Sequence, residues 1–383
     1  MTLTLDRAAP PRRRWPLLGH SPALDGLRGL AVVLVMIFHF TGHTLLPGGW
    51  AGVDVFFVLS GFLITALLLD EQRVHGRVAL GRFYLRRAAR LLPALLLMLV
   101  VWTGLLLAFH DSSWLGASPA GDGSGDPVAV GPALGDIGVS LAYAANWMYA
   151  LGPGHAPLAH LWSLSVEEQF YLLWPGLLLL VVRRRVWPAL ALAAVSALLP
   201  WLYWQGADSS NRLYFGTDTR AVGLLAGAVA ALVWHRRRTR EHLAPWAAPR
   251  AWAGLAVVAV VAATLGNAPI KFLLAPTLLG LAVAQVVPHL IDHPRGRLGR
   301  LLTPRWLIWA GQRSYALYLW HYLWATWTHP LPAYVGVPVG VLGAVACTQV
   351  SWLLVEAPAL RWARRFRVRP APVAPPMSLR AAA

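Results

Sequence analysis

Long apolar runs, separated by short polar or basic segments, make up most of the chain. Ten of these runs reach the roughly 17–25 residues that an α-helix needs to cross the hydrocarbon core of a bilayer. They are residues 24–43, 52–70, 91–110, 166–182, 187–204, 218–235, 250–267, 270–291, 305–327 and 335–357. The pattern predicts an all-α integral membrane protein with about ten transmembrane helices. A shorter amphipathic stretch, residues 134–150, is expected to lie on the outer surface or to be re-entrant.

The basic residues are distributed in a way that orients these helices. Of the 33 Lys and Arg residues, 28 fall in segments that are cytoplasmic if both termini are inside; the other five are Arg28, Arg212, Arg220, Lys271 and Arg313. Cytoplasmic loops of membrane proteins carry an excess of Lys and Arg. The charge pattern therefore predicts that both termini lie in the cytoplasm. If residues 134–150 crossed the membrane, the orientation of every later helix would be reversed.

Composition supports a membrane protein and excludes several other classes. Hydrophobic residues make up 57% of the chain and charged residues only 13%, with a mean hydropathy of +0.54, whereas a soluble domain carries about 25% charged residues. The net charge of +17 would suggest nucleic-acid binding in a soluble protein. Here the Arg residues lie in clusters between apolar runs, so no nucleic-acid partner is predicted. The single cysteine, Cys347, excludes a disulfide framework.

One membrane domain accounts for most of the chain. We expect a basic cytoplasmic segment at residues 1–21, the membrane domain at residues 22–358, and a basic tail at residues 359–383 that is expected to be disordered. No small-residue cleavage site follows the N-terminal basic cluster cleanly, so the first apolar run is predicted to be an uncleaved helix. The Gly-rich segment 111–136 is long enough to act as a lid; alternatively, it is a flexible connector.

Arg28 and His39 stand eleven residues apart in the first apolar run, LDGLRGLAVVLVMIFHF. Eleven residues come within about 20° of three full helical turns, so the two side chains are expected to share one face, about 16 Å apart along the axis. Asp25 and His43 fall on the same stripe. Because an unpaired charge in hydrocarbon costs several kcal/mol, this face is expected to line the protein interior or a wet cavity. Alternatively, Asp25 pairs with Arg28, and His39 is a packed core histidine.

A second candidate stretch is HLWSLSVEEQFYLLWP, residues 160–175. His160, Glu167 and Tyr171 lie near one stripe of a helix. The alternative is a capping box, in which Ser165 begins the helix and Glu168 bonds back to it. That alternative explains Glu168 better than Glu167, because a capping box needs only one carboxylate. Glu167 is therefore the better candidate to orient a histidine or to bind a hydroxyl.

A third candidate stretch is the basic segment RFYLRRAARLLPA, residues 82–94. Arg86 and Arg90 are spaced to share a helix face, as are Arg87 and Arg90. Planar, permanently charged guanidinium groups bind phosphates well, so the cluster is a candidate phosphate site on the cytoplasmic side. The alternative is that these residues serve only as a topology signal and contact lipid headgroups.

Further polar residues inside the apolar runs are candidates for the same site: Ser60, Arg220, Ser314, Tyr318 and His321. Helix packing explains Ser60 and the adjacent Gly61 equally well, since small residues let helix backbones approach closely. Asp218 and Arg220 are two residues apart and point to nearly opposite sides, so they are not expected to pair. His39 and His43 have a metal-ligand spacing, but no HExxH motif or Cys/His cluster accompanies them, so no metal is predicted.

Taken together, these stretches resemble the acyltransferase 3 family, integral membrane O-acyltransferases of polysaccharides, lipopolysaccharide, peptidoglycan and some antibiotics. The matching pieces run in family order over residues 22–358: LDGLRG with Arg28 and His39 in an Arg-x10-His arrangement, GVDVFFVLSGFLI, RRAARLLPAL, HLWSLSVEEQFYLLWP, the Asp218/Arg220 segment and SYALYLWH. Together they cover nearly the whole chain, so the match is far more specific than any single motif. Family members often carry an additional extracytoplasmic domain that these stretches do not predict, which leaves the acceptor open.

The resemblance implies a multi-pass enzyme of the bacterial plasma membrane that uses cytoplasmic acyl-CoA, with acetyl-CoA as the first choice. The acceptor is a hydroxyl of a carbohydrate or of a glycosylated or secondary metabolite. His39 is expected to act as the general base, with Arg28 holding coenzyme A or the developing negative charge. Glu167 matches the acidic position of the family motif, and Ser60 and Ser314 are conceivable acyl carriers.

Two other functions fit parts of the pattern. A proton-coupled secondary transporter also has basic loops and ionisable residues within its membrane helices, but the chain shows no pair of matching halves. A non-catalytic membrane scaffold is disfavoured, because it has no use for aligned buried ionisable residues. The acyltransferase is therefore the favoured prediction.

Overall fold

The computed structural model describes residues 19–110, 130–152, 158–182, 185–206, 209–239, 247–266, 271–363 and 365. Within these ranges the elements are helices, and no β-strand is present. They are α1 (Pro22–Phe40), α2 (Ala51–His75), α3 (Leu80–Phe109), α4 (Val130–Leu141), α5 (Ala145–Leu151), α6 (Leu161–Leu177), α7 (Trp187–Tyr203), α8 (Ser210–Phe215), α9 (Thr217–Thr239), α10 (Ala248–Thr264), α11 (Lys271–Asp292), α12 (Arg297–Leu301), α13 (Arg305–Gln312), α14 (Ser314–Thr328), α15 (Ala333–Ser351) and α16 (Ala357–Ala363). Short π-helical segments, Leu178–Val182 and Trp352–Glu356, extend α6 and α15.

The helices confirm an all-α membrane protein. In the described part of the chain, six continuous helical segments, two of which join neighbouring helices, are long and apolar enough to cross a bilayer: Pro22–Phe40, Ala51–His75, Leu80–Phe109, Ser210–Thr239, Lys271–Asp292 and Ala333–Ala363. The remaining predicted crossings correspond to α6 with its π-helical extension, to α7, to α10, and to α13 together with α14. The number of ten crossings and the orientation of the termini stay predictions. Most of the predicted basic N-terminal segment, the loop at 111–129 and most of the predicted tail lie outside the described residues.

The amphipathic stretch 134–150 forms two short helices, α4 and α5, separated by a bend. The bend includes Tyr143, which has a positive φ of 51°. A helix of 12 residues, the length of α4, rises only about 18 Å. Neither helix reaches across a hydrocarbon core of about 30 Å, which favours the predicted surface or re-entrant placement.

Several helix ends follow directly from the sequence. Pro22 occupies the first turn of α1, where its missing N–H has no intrahelical partner to lose. Gly76 ends α2 with φ of 73°, a left-handed conformation that glycine adopts without steric cost. Pro175 lies inside α6, just before the helix widens into its π-helical segment. A proline removes one backbone donor and crowds the preceding turn, which accounts for irregularity at this point.

Glycine contacts bring α2 and α9 into close packing. A Cβ atom at Gly61 would collide with the Leu224 carbonyl, and one at Gly227 would collide with the Val58 carbonyl. The alternative that a small residue here serves close helix packing is thereby confirmed for Gly61. In the same way, the absence of a side chain at Gly29 allows α1 to pack on the Leu307 carbonyl of α13.

Candidate active site

Two cavities of about 330 Å³ each lie between the helices, one toward each end of α1. The polar residues that line the Arg28 cavity are Arg28, Ser60, Arg87, Arg90, Ser163, Glu167, Tyr171, Ser314, Tyr315 and Tyr318. Those that line the His39 cavity are His39, His43, Trp50, His160, Trp162, Ser210, Asn211, Tyr214, Lys271, Tyr318 and Tyr322. Val53 and Tyr318 line both cavities, so the two spaces adjoin at these side chains.

Helix α1 contributes Arg28 to one cavity and His39 to the other. Asp25 does not pair with Arg28, which contradicts one of the alternatives for this helix. Its carboxylate lies 3.0 Å from Nε2 of His20 and accepts a hydrogen bond of 3.4 Å from Gln312. Within the described part of the chain, no hydrogen bond or ion pair involves the Arg28 guanidinium. The group is therefore available to an anionic ligand in its cavity.

The predicted continuation of the α1 stripe to His43 is wrong, because the helix ends at Phe40. His43 follows a turn and has a positive φ of 67°. Its ring nevertheless stacks on Phe38 with a centroid distance of 3.9 Å, and it lies 6.2 Å from the His39 ring. His43 therefore reaches the same cavity through a turn rather than through helical periodicity.

The hydrogen bonds of His39 define which of its nitrogens can act as a base. His39 Nδ1 lies 3.0 Å from the Val35 carbonyl, and His321 Nδ1 lies 2.7 Å from the Tyr318 carbonyl. A carbonyl oxygen can only accept, so both Nδ1 atoms carry the proton in the neutral rings. His321 Nε2 then faces His39 Nδ1 at 3.3 Å as an acceptor. This arrangement leaves the lone pair of His39 on Nε2, which has no hydrogen bond within the described residues.

Tyr318, one of the predicted site residues, stands between the two cavities. Its hydroxyl donates to the His160 carbonyl at 2.8 Å and lies 2.6 Å from the Ser163 hydroxyl. Since the phenol donates its one proton to the carbonyl, Ser163 is the donor to Tyr318. Of the other predicted residues on α14, Ser314 lines the Arg28 cavity, and the fully buried His321 supports His39.

The three predicted arginines of α3 have different surroundings. Arg87 is held in a bidentate pair with Glu168, with nitrogen–oxygen distances down to 2.6 Å, and its guanidinium stacks on the Tyr171 ring. Arg90 lines the Arg28 cavity together with Arg87. Arg86 does not line it, and instead lies 3.7 Å from Glu71. The structure therefore combines Arg87 and Arg90 with Arg28, and it separates Arg86 from them.

Glu167 lines the Arg28 cavity, where it accepts hydrogen bonds from Ser60 and, at 2.5 Å, from Tyr171. Glu167 forms no hydrogen bond with His39, so the prediction that it orients this histidine is wrong. The Val35 carbonyl and His321 orient the His39 ring instead. Ser60 thus contacts a carboxylate, an arrangement that suits a nucleophile and its base.

The alternative of a capping box at Ser165 is wrong, because α6 begins four residues earlier, at Leu161. Ser165 lies inside the helix and donates its hydroxyl to the Leu161 carbonyl at 3.2 Å. Glu168 is engaged by Arg87 on α3. The two consecutive glutamates therefore have separate partners, one a cavity hydroxyl and the other a guanidinium.

Arg220, predicted as a site residue, forms a buried ion pair with Asp54 and lines neither cavity. The two groups are 3.0 Å apart, and each side chain is 1% exposed. The prediction that Arg220 does not pair with Asp218 is confirmed, since Asp218 binds Arg212 with nitrogen–oxygen distances of 2.9 and 2.6 Å. The Asp54–Arg220 pair connects α2 to α9 and is a structural element of the membrane domain.

Sequence reasoning missed two charged residues. Asp54 was overlooked as the partner of Arg220, although an acid and a base in separate apolar runs are expected to pair. Lys271, the single lysine of the chain, lines the His39 cavity. In the sequence, the position of Lys271 at the beginning of an apolar run is the one feature that could have indicated a role in the site. No group of three or more His, Cys, Asp or Glu side chains in the described ranges is arranged to hold a metal ion.

Comparison with known proteins gives the family of the chain. A family model described as an acyltransferase domain, Acyl_transf_3, matches residues 21–356. A peptidoglycan O-acetyltransferase of Listeria monocytogenes is 35% identical over 333 residues, covering 81% of this chain and 50% of the relative. A Bacillus subtilis protein, provisionally named as a peptidoglycan O-acetyltransferase, is 32% identical over 365 residues, covering 88% of this chain and 54% of the relative.

The chain spans about half the length of the curated relatives it matches. No solved structure matches the chain. The family model covers the residues that line both cavities, and it favours an enzyme over the transporter and scaffold alternatives. The chain belongs to the acyltransferase 3 family and is a multi-pass membrane acyltransferase.

Proposed function

We propose that the protein transfers an acetyl group from cytoplasmic acetyl-CoA to a hydroxyl of a cell-envelope glycan, with His39 as the general base. A secondary-metabolite hydroxyl is the second acceptor class. The observation that carries the proposal is the pair of adjoining cavities. One has several cations, and the other has Nε2 of His39, which forms no hydrogen bond with the residues that the structure describes. The name of the Listeria relative makes a peptidoglycan glycan the first acceptor to test.

The Arg28 cavity is assigned to the donor. Arg28 and Arg90 present guanidinium groups in it, and such groups bind phosphate oxygens with charge-assisted hydrogen bonds. Under the predicted orientation, this end of α1 faces the cytoplasm, where coenzyme A is found. The thin pantetheine arm then extends past Val53 and Tyr318, which line both cavities, and brings the thioester toward His39.

The reaction takes place in the His39 cavity. The acceptor oxygen attacks the thioester carbonyl carbon while His39 Nε2 takes its proton, a contribution of about 10²–10⁴-fold. The C–S bond then breaks, and the departing thiolate of coenzyme A receives that proton. Arg28 and His39 are about 16 Å apart along the helix, so Arg28 is assigned to donor binding rather than to the charge that develops near His39.

Transfer of a labelled acetyl group tests this function. The purified full chain in lipid nanodiscs is incubated with acetyl-CoA labelled in the acetyl group and with a panel of envelope glycans and hydroxylated metabolites. We expect label in one acceptor class, with one free coenzyme A thiol released per acetyl transferred. Absence of label in every acceptor, together with proton-coupled solute uptake by proteoliposomes, would contradict the proposal.

Arg90→Gln is expected to raise the KM for acetyl-CoA about tenfold with a smaller change in kcat, because a lost charge-assisted contact costs about 1.5–3 kcal/mol. Arg86→Gln is the matched control, since Arg86 lies one helical turn away and pairs with Glu71 outside the cavity. Steady-state kinetics with varied acetyl-CoA concentration measures KM and kcat for both variants. Equal changes in the KM for acetyl-CoA in the two variants would indicate that these arginines serve as topology signals and do not bind the donor.

A further inference from the structure

Among the residues that the structure describes, the polar lining of the His39 cavity contains three histidines and a lysine but no carboxylate. His39, His43, His160 and Lys271 line it, and none of the Asp or Glu residues that the structure describes is among its lining residues. The Arg28 cavity differs, because Glu167 lies in its wall. If the His39 cavity binds the acceptor, the ammonium of Lys271 and the lack of a carboxylate in the described lining favour a negatively charged molecule over a neutral one.

Lys271 is the residue of this described lining whose side chain is ordinarily cationic at neutral pH. It is only 8% exposed, donates to the Gly266 carbonyl at 2.7 Å, and lies 4.9 Å from the Trp50 ring centroid and 4.8 Å from that of Phe272. The carbonyl and the two rings hold its position at the edge of the cavity, so a ligand there meets a preorganised charge.

His160 is a second polar group that indicates a ligand. Its side chain is buried, with 3% exposure, and neither ring nitrogen forms a hydrogen bond of normal geometry within the described residues. A buried polar group without a partner costs about 1–3 kcal/mol. The ring stacks on Tyr322, 4.8 Å between centroids, and lines the same cavity as Lys271. A bound polar molecule would satisfy it.

We propose that the acceptor carries an oxyanionic group, a carboxylate or a phosphate, and that Lys271 binds this group while the reacting hydroxyl lies at His39. This inference rests on the proposed function, since it assigns the acceptor to the His39 cavity. Lys271 is thus a specificity-determining residue. The same cavity favours a sugar acid or phosphosugar over a neutral sugar.

The test uses three synthetic disaccharides that differ at one position, which is a carboxylate, a phosphate monoester or a neutral primary amide. We expect the wild-type chain to prefer one of the anionic forms over the amide by about tenfold or more in kcat/KM, the size of one charge-assisted contact. Lys271→Gln is expected to bring that ratio close to one, and Lys271→Arg to retain it. The anion that gives the larger ratio identifies the group.

Arg305→Gln is the control for overall charge, because Arg305 is exposed and lines neither cavity. In this variant, the ratio of kcat/KM for the anionic form to kcat/KM for the amide should equal that of the wild type. Equal turnover of anionic and neutral forms by the wild type, or an unchanged ratio in Lys271→Gln, would overturn the inference. Equilibrium dialysis measures binding of the same disaccharides to the wild type and to Lys271→Gln without requiring acetyl transfer. This measurement therefore tests the inference separately from the proposed function. Anion-dependent binding that Lys271→Gln loses would support the inference even if no acetyl transfer is observed.

Discussion

Replacement of His39 by alanine is expected to lower the rate of acetyl transfer by about 10²–10⁴-fold, the usual contribution of a general base. The Val35 carbonyl and His321 engage Nδ1, so the variant removes the one ring nitrogen that can take the acceptor proton. The KM for acetyl-CoA should change little, because the donor is assigned to the Arg28 cavity. The measurement is label transfer by purified wild-type and variant protein at saturating donor.

His43→Ala is the matched control for this experiment. His43 lines the same cavity, with its ring 6.2 Å from that of His39, but it stacks on Phe38 and lies beyond the end of α1. We expect a much smaller loss of rate in this variant. Size-exclusion profiles in detergent should match the wild type for both. If His39→Ala retained turnover, His39 would not be the general base.

Breaking the buried pair between Asp54 and Arg220 is expected to destabilise the fold by about 3–5 kcal/mol, because the remaining charge is left uncompensated in a low-dielectric interior. Arg220 also lies over the rings of Phe57, Trp162 and Tyr214, with distances of 5.2–5.7 Å to their centroids. Asp54→Leu and Arg220→Met should each lower the midpoint of thermal unfolding in detergent and the yield of monodisperse protein.

The double variant, Asp54→Leu with Arg220→Met, distinguishes a structural ion pair from a catalytic one. Two apolar side chains of suitable volume can replace a buried pair at little cost or with a gain in stability. We therefore expect the double variant to unfold at a higher temperature than either single variant and to retain acetyl transfer. A double variant that folds but has no activity would place the pair in the reaction.

The positions of the helices were predictable because they depend on local information. A helix that crosses hydrocarbon satisfies its own backbone hydrogen bonds and needs only a sufficient apolar run, and each predicted run coincides with helical segments in the structure. Helical periodicity likewise identified Arg28 and His39 as residues of one helix face. It failed at His43, where the chain leaves the helix after Phe40 and a turn brings the ring back.

The partners of the site residues were not predictable to the same degree. Glu167 and Glu168 are adjacent in sequence, yet one contacts Ser60 on α2 and the other Arg87 on α3. Periodicity places both glutamates on α6 but carries no information on which helices pack beside it. The Asp54–Arg220 pair was missed for the same reason, since it joins residues 166 positions apart.

The sequence by itself thus determined an all-α membrane protein, its family, and the helix that carries Arg28 and His39. Tertiary structure alone decided that these two residues line separate cavities, that the Val35 carbonyl and His321 engage Nδ1 of His39 rather than Nε2, and that Lys271 lies in the same cavity as His39. The physical reason is that helix formation in a bilayer depends on neighbouring residues and the solvent, whereas a cavity and its charges depend on side-chain packing between helices distant in sequence.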